Sequence, residues 1–328
     1  MTEQTRNLKE NISGLWRSKR YYSLEAFLKN QYGRRMKKAA IDAGFTCPNR
    51  DGTLDTRGCI FCSAGGSGEF AVSPASMESM AAAQEADAEP LIIYFQAFTC
   101  TYAPTAHLER LYRNALEHPL TAGISIATRP DCLPEEVLTL LERLKKEYTD
   151  KFIWIELGLQ TIHEKTAAYI RRGYPLSCFE QAVQALHTLS VPIIVHVILG
   201  LPGETKAMML QTVEYLNRFP LFGIKLQLLH VLKGTDLARD YEKKLFQTLT
   251  MEEYLDLLII CIERLSPDTV LHRVTGDGAK ELLLAPLWSR DKKKVLNALH
   301  HRMKILDSYQ GKYWKGSAHY VTETDSPL

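Results

Sequence analysis

From residue 39 to residue 275, short apolar runs alternate with stretches whose apolar positions recur at helical spacing. The runs at 39–43, 91–97, 123–128, 152–158, 192–199, 224–230 and 270–275 are rich in Ile, Val, Leu and aromatic residues and lack an in–out alternation. That pattern predicts strands buried on both faces. Between them, 134–148 (PEEVLTLLERLKKEY) has helical periodicity, with Glu in its first turn and Lys in its last, as the helix dipole favours. A second helix is expected over 204–219 after a Gly-Leu-Pro-Gly turn, and a third over 250–265 behind a Thr cap and two Glu. The last helix is expected over 290–309, and 63–90 reads as a Gly/Ser loop followed by a helix of small residues. Consecutive strand–helix units predict an α/β chain with a parallel sheet, either open and doubly wound or closed into a full or partial barrel. In both, chemistry belongs at the C-terminal ends of the strands.

The 328 residues are 45% hydrophobic and 24% charged, the composition of a folded enzyme. No apolar stretch approaches the roughly 20 residues a membrane span needs, and the polar N-terminus lacks a signal-like apolar segment. A cytoplasmic protein is expected. The net charge of +2 identifies no partner, but its distribution is uneven. Arg17, Lys19, Arg20, Lys29, Arg34, Arg35, Lys37 and Lys38 stand against Glu25 alone near the start. Arg290, Lys292, Lys293, Lys294, Arg302, Lys304, Lys312 and Lys315 stand against Asp291 and Asp307 near the end. Both basic ends carry aromatics read as exposed: Trp16, Tyr21 and Tyr22, then Tyr309, Tyr313 and Trp314. The expected organisation is a basic N-terminal extension (1–38), a central barrel (39–280) and a basic helical C-terminal extension (281–328).

Seven cysteines without an export signal do not make a disulfide framework. Cys100, Cys132, Cys178 and Cys261 are isolated and read as buried thiols. Cys47, Cys59 and Cys62 share one loop after the first strand, spaced Cys-x(11)-Cys-x-x-Cys. A Cys-x-x-Cys pair alone fits a zinc knuckle or a redox dithiol. No fourth Cys or His follows at similar spacing, whereas three thiolates fit a cubane cluster whose remaining iron stays open.

This loop, together with IDAGFTCPNRDG, YFQAFTCTYAP, ELGLQT, HVILGLPGET and HRVTGDG, resembles the radical SAM superfamily. Within it, the chain is similar to the Elongator-like branch and its bacterial YhcC/YtqA-type proteins, from about residue 20 to residue 310. The resemblance implies a partial (β/α)6 TIM-like barrel, a [4Fe–4S] cluster on Cys47, Cys59 and Cys62, and S-adenosyl-L-methionine (SAM) at the barrel top. Reductive cleavage of SAM would give a 5′-deoxyadenosyl radical that abstracts hydrogen from the substrate. Phe61 would face the adenosine side of the cluster. Gln96 stands where relatives carry a glycine-rich SAM-amino site, and its alternative is an ordinary strand end. Gln160 and Arg172 match a SAM-contacting pair, a guanidinium being suited to grip a carboxylate; a surface arginine is the alternative, and Arg171 the neighbouring register. His196 would lie near the ribose, or be a satisfied core histidine, and Gly200 would let backbone approach adenine.

Arg273 and Asp277 would face substrate, or form a loop salt bridge, with Lys225 and His230 weaker candidates of the same kind. The resemblance and the basic, aromatic ends point to tRNA, its anticodon loop bound in basic grooves with stacking aromatics. The implied step converts a carboxymethylaminomethyl group to aminomethyl at C5 of wobble uridine. The expected partners are tRNA, an electron donor such as flavodoxin or ferredoxin, and a follow-on methyltransferase. The rival readings are a radical SAM enzyme for a small molecule and a zinc-containing nucleic-acid-binding protein.

Overall fold

The computed structural model describes residues 14–66, 68–73, 89–276 and 278–316. The helix expected late in 63–90 lies mostly outside these residues. Helix α1 (Leu24–Tyr32) starts on the Ser23 side chain and ends at Gly33 in the left-handed region, φ 71°. There follow β1 (Lys37–Ile41), β2 (Leu91–Phe95), α2 (Thr105–Glu117), β3 (Thr121–Thr128), α3 (Glu135–Glu147), β4 (Phe152–Gln160), α4 (Glu164–Tyr169) and α5 (Leu176–Thr188). The second half runs β5 (Ile193–Leu199), α6 (Lys206–Leu216), β6 (Gly223–Leu228), β7 (Val231–Leu232), α7 (Asp236–Glu242), α8 (Met251–Arg264), β8 (Val270–Arg273), β9 (Leu283–Ala285) and α9 (Lys292–Ile305). Each of the seven expected strands is present, and α8 carries the expected capping box between Thr250 and Glu253.

Seven strands form one parallel sheet in the order β1-β2-β3-β4-β5-β6-β8, with helices packed on its outer face, the half-barrel of a partial TIM-like fold. Alternation along each strand sends one set of side chains outward against the helices and the other inward. The inward set is layered. Ile92, Trp154 and Ile194 form an apolar bottom layer, closed by Leu28 and Phe27 of α1 and by Phe222. Two residues further along the strands come Tyr94, Glu156 and His196, and two further again Gln96, Gly158 and Ile198, which face an open cavity. A smaller apolar cluster joins Ile60, Ile170, Ile198, Leu229, Leu237 and Ala285, fixing β7, α7 and β9 over the strand ends.

The two basic ends meet in a seam along β8. Tyr22 and Ser23 run parallel to that edge strand, the Leu271 amide donating to the Tyr22 carbonyl (2.7 Å). Gln310, fully buried, accepts from the Tyr22 amide (2.8 Å) and donates to the Ser266 and Thr269 carbonyls (2.6 and 2.8 Å). Arg20 pairs with Asp307 at 2.9 Å. The expectation of exposed aromatics at these ends is corrected here. Trp16 and Tyr21 are buried and Tyr309 packs on Trp16, because the seam needs apolar filling. Trp314 is half-buried, with its indole nitrogen buried and lacking a hydrogen-bond partner. Tyr313 remains exposed, under the Arg264 guanidinium.

Candidate active site

The strand ends surround a cavity of about 1420 Å³, its mouth included. Cys47, Cys59 and Cys62 all line it. The eleven residues separating the first two fold back on themselves. The Cys47 carbonyl accepts from the Arg50 and Asp51 amides, and the Gly58 amide returns to the Asn49 carbonyl at 2.6 Å. Arg50 then clamps the loop shut by donating to the carbonyls of Cys62 (3.1 Å) and Ser63. Asn49, buried, donates to the Cys59 sulfur (3.4 Å) and to the Arg171 carbonyl (2.7 Å), so the loop is fixed to the end of α4. Burial, with the neighbouring Cys62 and Cys47, pushes the Cys59 thiol up to about 12. Thiols so placed need a cationic centre to ionise.

Phe61, Gln96, Gln160, Arg172, His196 and Arg273 also line the cavity, so the sequence brought most of its candidates to one place. Phe61 belongs to the apolar wall with Ile170, Ile198 and Leu229. Gln160 has a left-handed backbone (φ 67°), and its side-chain oxygen is buried without a hydrogen-bond partner. Strain in a non-glycine residue together with an orphaned acceptor is characteristic of a ligand site. Arg172 is fully buried, donating to the carbonyls of Tyr174 (3.0 Å) and Thr161 (2.6 Å) and to Glu164 (3.0 Å). It is first a staple of the α4–α5 connection, and an external carboxylate would meet only its remaining N–H groups. Arg171 pairs with Asp236 at 2.5 Å.

Two candidates lie elsewhere. Gly200 is off the cavity wall, its left-handed turn (φ 92°) backed by Leu249, which a Cβ there would meet at 3.2 Å. Lys225 is buried one layer below the cavity. Asp277 is outside the described residues. His230 lines the cavity; its Nδ1 accepts from the Gly278 amide (3.1 Å).

What the sequence reading missed is the ionic layer beneath. Glu156, with no exposed surface, accepts from Ser125 (2.6 Å) and Lys38 (2.5 Å) at one oxygen and from His196 (2.7 Å) and Lys225 at the other. Lys225 also donates to the Tyr94 hydroxyl (3.1 Å), and both lysine ammoniums lie over the Tyr94 ring, at 3.8 and 4.5 Å from its centroid. Burial alone would raise Glu156, but Lys225, Lys38 and His196 hold it well below the usual carboxylate range. His196 is held down to about 4 by burial and by Lys225. The available signal was a single charge inside each of FIWIELGLQ and GIKLQL, since buried charges in strands require partners.

These features fit a cysteine-bound cluster with SAM beside it: three cysteines lining one cavity, an apolar wall, and an orphaned amide oxygen. Among the described residues no three His, Cys, Asp or Glu side chains gather at a point suited to one metal ion. A cubane takes each thiolate on a different iron and does not ask for that.

Residues 56–216 match the model of the radical SAM superfamily, and residues 222–305 match that of the Radical_SAM C-terminal domain. The chain is 39% identical over 305 residues to the uncharacterized protein YtqA of Bacillus subtilis (strain 168), covering 90% of this chain and 94% of the relative. It is 35% identical over 268 residues to protein YhcC of Escherichia coli (strain K12), covering 81% and 86%. Among solved structures it is similar in fold to the archaeal Methanocaldococcus infernus Elp3, with a TM-score of 0.62 at 15% identity, over 84% of this chain and 65% of that one.

Proposed function

We propose that this chain, which belongs to the radical SAM superfamily, modifies tRNA at the C5 side chain of wobble uridine, taking carboxymethylaminomethyl to aminomethyl: the terminal methylene would lose a hydrogen atom and then an electron, the latter returned to the oxidised cluster, and water would hydrolyse the resulting imine to release glyoxylate. Its family's cofactors are a [4Fe–4S] cluster and SAM. When bound, the reduced cluster supplies the electron that cleaves SAM to methionine and a 5′-deoxyadenosyl radical, which takes a hydrogen atom from the substrate. Cys47, Cys59 and Cys62 would hold the cluster. The observation that carries this assignment is their convergence, with Gln160, on one cavity. The Gln160 oxygen would accept a hydrogen bond from SAM. Phe61 and Ile198 would pack on its apolar face and keep water from the reacting carbon. Gln96 stands on the same wall, and Arg172 keeps the Gln160 turn rigid. His196, neutral under ordinary conditions, would face the ribose or the substrate. The barrel (39–280) would be the catalytic body, working in the reducing cytoplasm with a flavodoxin- or ferredoxin-like electron donor.

The tRNA assignment is supported by the Elongator-like resemblance and by Lys293 and Lys294, exposed at the start of α9. Mass spectrometry of tRNA nucleosides from a deletion strain tests it. The carboxymethylaminomethyl nucleoside should accumulate and the aminomethyl nucleoside, with any product a methyltransferase makes from it, should vanish. Unchanged nucleosides would sink it. One observation favours a second reading, a small-molecule substrate: Trp16, Tyr21 and Tyr309 pack in the seam, and of the six terminal aromatics Tyr313 alone is exposed. Under that reading, tRNA binding by the holoenzyme should be absent even at low salt.

A further inference from the structure

Asn49 is an uncharged polar side chain buried beside a sulfur, and burial of an amide has a cost unless its hydrogens are used. Its main chain and its side chain both grip the start of the Cys-x-x-Cys pair. The Asn49 carbonyl accepts from the Gly58 amide at 2.6 Å, and its Nδ2 donates to the Cys59 sulfur at 3.4 Å. The same Nδ2 donates to the Arg171 carbonyl at 2.7 Å. A carbonyl oxygen accepts from an amide's nitrogen and not from its oxygen, so the orientation of the side chain is fixed. One hydrogen goes to Arg171 and the other to sulfur. Gly173, in the left-handed region at φ 82°, leaves room for this arrangement, since a Cβ there would meet Asn49 Oδ1 at 2.8 Å. The loop has other closures, from Arg50 to the Cys62 and Ser63 carbonyls and from the Thr53 hydroxyl to that of Tyr102 (2.9 Å). What these closures do not supply is an N–H at the Cys59 sulfur.

We propose that Asn49 is a positioning residue that raises the reduction potential of the cluster through the Cys59 sulfur, and so lowers the demand placed on the electron donor. The proposal rests on the reading that Cys47, Cys59 and Cys62 hold the cluster, and it names a protein group that tunes it. An N–H donated to a metal-bound thiolate is a charge-assisted hydrogen bond. It stabilises the reduced state, which carries one more negative charge, more than the oxidised state, and the potential rises accordingly. Because Nδ2 is also anchored on the carbonyl at the end of α4, the donor is held in place before any electron arrives. It needs no reorganisation when the charge on sulfur changes.

The test is a redox titration, followed by electron paramagnetic resonance, of the anaerobically reconstituted protein. Wild type is compared with Asn49→Leu and Asn49→Asp, with Tyr102→Phe as control. Leucine brings no N–H, and aspartate keeps the shape of asparagine while bringing negative charge to the sulfur. Asn49→Leu should hold wild-type iron at a more negative midpoint. At the wild-type midpoint its ratio of reduced to oxidised cluster should fall roughly tenfold, about 59 mV for a one-electron couple. Asn49→Asp should shift further in the same direction. Tyr102→Phe, which loosens the loop at Thr53 and leaves the sulfur alone, should keep the wild-type midpoint. A wild-type midpoint in Asn49→Leu overturns the proposal, and so does an equal shift in Tyr102→Phe. If both Asn49 variants lose iron, the wild type decides. Prepared with asparagine isotopically labelled at Nδ2, its reduced cluster should show a magnetic coupling to the labelled nitrogen in pulsed spectra; no coupling overturns the proposal. A wild type that takes up no cluster is a different failure, since it removes the underlying reading of the three cysteines and this proposal with it.

Discussion

Two glutamines mark the difference between the seam and the cavity. Gln310, at the seam, has both amide hydrogens donated, to the Ser266 and Thr269 carbonyls, and its oxygen accepting from the Tyr22 amide. Gln160, at the cavity, sits in a left-handed conformation with a buried oxygen that no protein group meets. Both regions are rich in polar and basic residues. At the seam most of these satisfy one another, as Arg20 does with Asp307, although the Trp314 indole nitrogen and the Ser308 hydroxyl are buried without partners, and the result is structure. At the cavity, satisfaction is incomplete and the backbone is strained, and the result is a site. A basic, aromatic stretch of sequence is therefore weak support for an RNA surface until the fold shows which of its groups are already engaged.

The comparison breaks most decisively at the cysteines. Anaerobically reconstituted wild type should bind about four irons and form 5′-deoxyadenosine on reduction. Cys59→Ala should lose both completely, whereas Cys178→Ala, outside the cavity, should keep both. Retention of iron and turnover by Cys59→Ala would remove the cavity's claim to the cluster.

The glutamines give the next effect. Gln310→Ala leaves the Ser266 and Thr269 carbonyls without their partner and should cost about 2–4 kcal/mol of unfolding free energy, read from denaturant midpoints. Gln160→Gly relieves a left-handed non-glycine residue and should gain about 1 kcal/mol, while weakening SAM binding roughly tenfold. If instead Gln160→Gly destabilises the protein and leaves the SAM dissociation constant unchanged, the residue is structural and the contrast disappears.

The smallest expected effect is in acid. The folded state holds His196 at about 4 against 6.5 in an unconstrained chain, so the unfolded chain takes up the proton first. Stability contributed by the neutral imidazole is complete above about 6.5 and is lost as the pH falls from there towards 4. Thermal melts across that window should show a decline that His196→Asn flattens. An identical slope in the variant would show that other groups dominate.

Much of this was legible in the sequence. The strands from 91 to 199 announced themselves as apolar runs, and Thr250 with Glu253 announced the start of α8, because both are local signals. The cysteine loop was legible for the same reason. Helices α2 and α5 lay in the helical stretches between strands without start signals strong enough to bound them: each begins after a proline with no side-chain cap. Strands β7 and β9 are too short to carry a period. Glu156 and Lys38 were invisible as partners because their meeting depends on which strands the sheet makes neighbours around the barrel. The seam was missed because burial of Trp16 and Tyr309 depends on contact between opposite ends of the chain.

That seam also orders events during synthesis. Tyr22 and Gln310 are separated by 288 positions, so the strap beside β8 leaves the ribosome early and its lock leaves late. Strands β1 to β6 pair with neighbours close in sequence and acquire them progressively as the chain emerges. The free edge of β8 stays open to other chains until the residues after α9 arrive. A nascent chain stalled before Gln310 would thus present a nearly finished barrel with one unguarded edge.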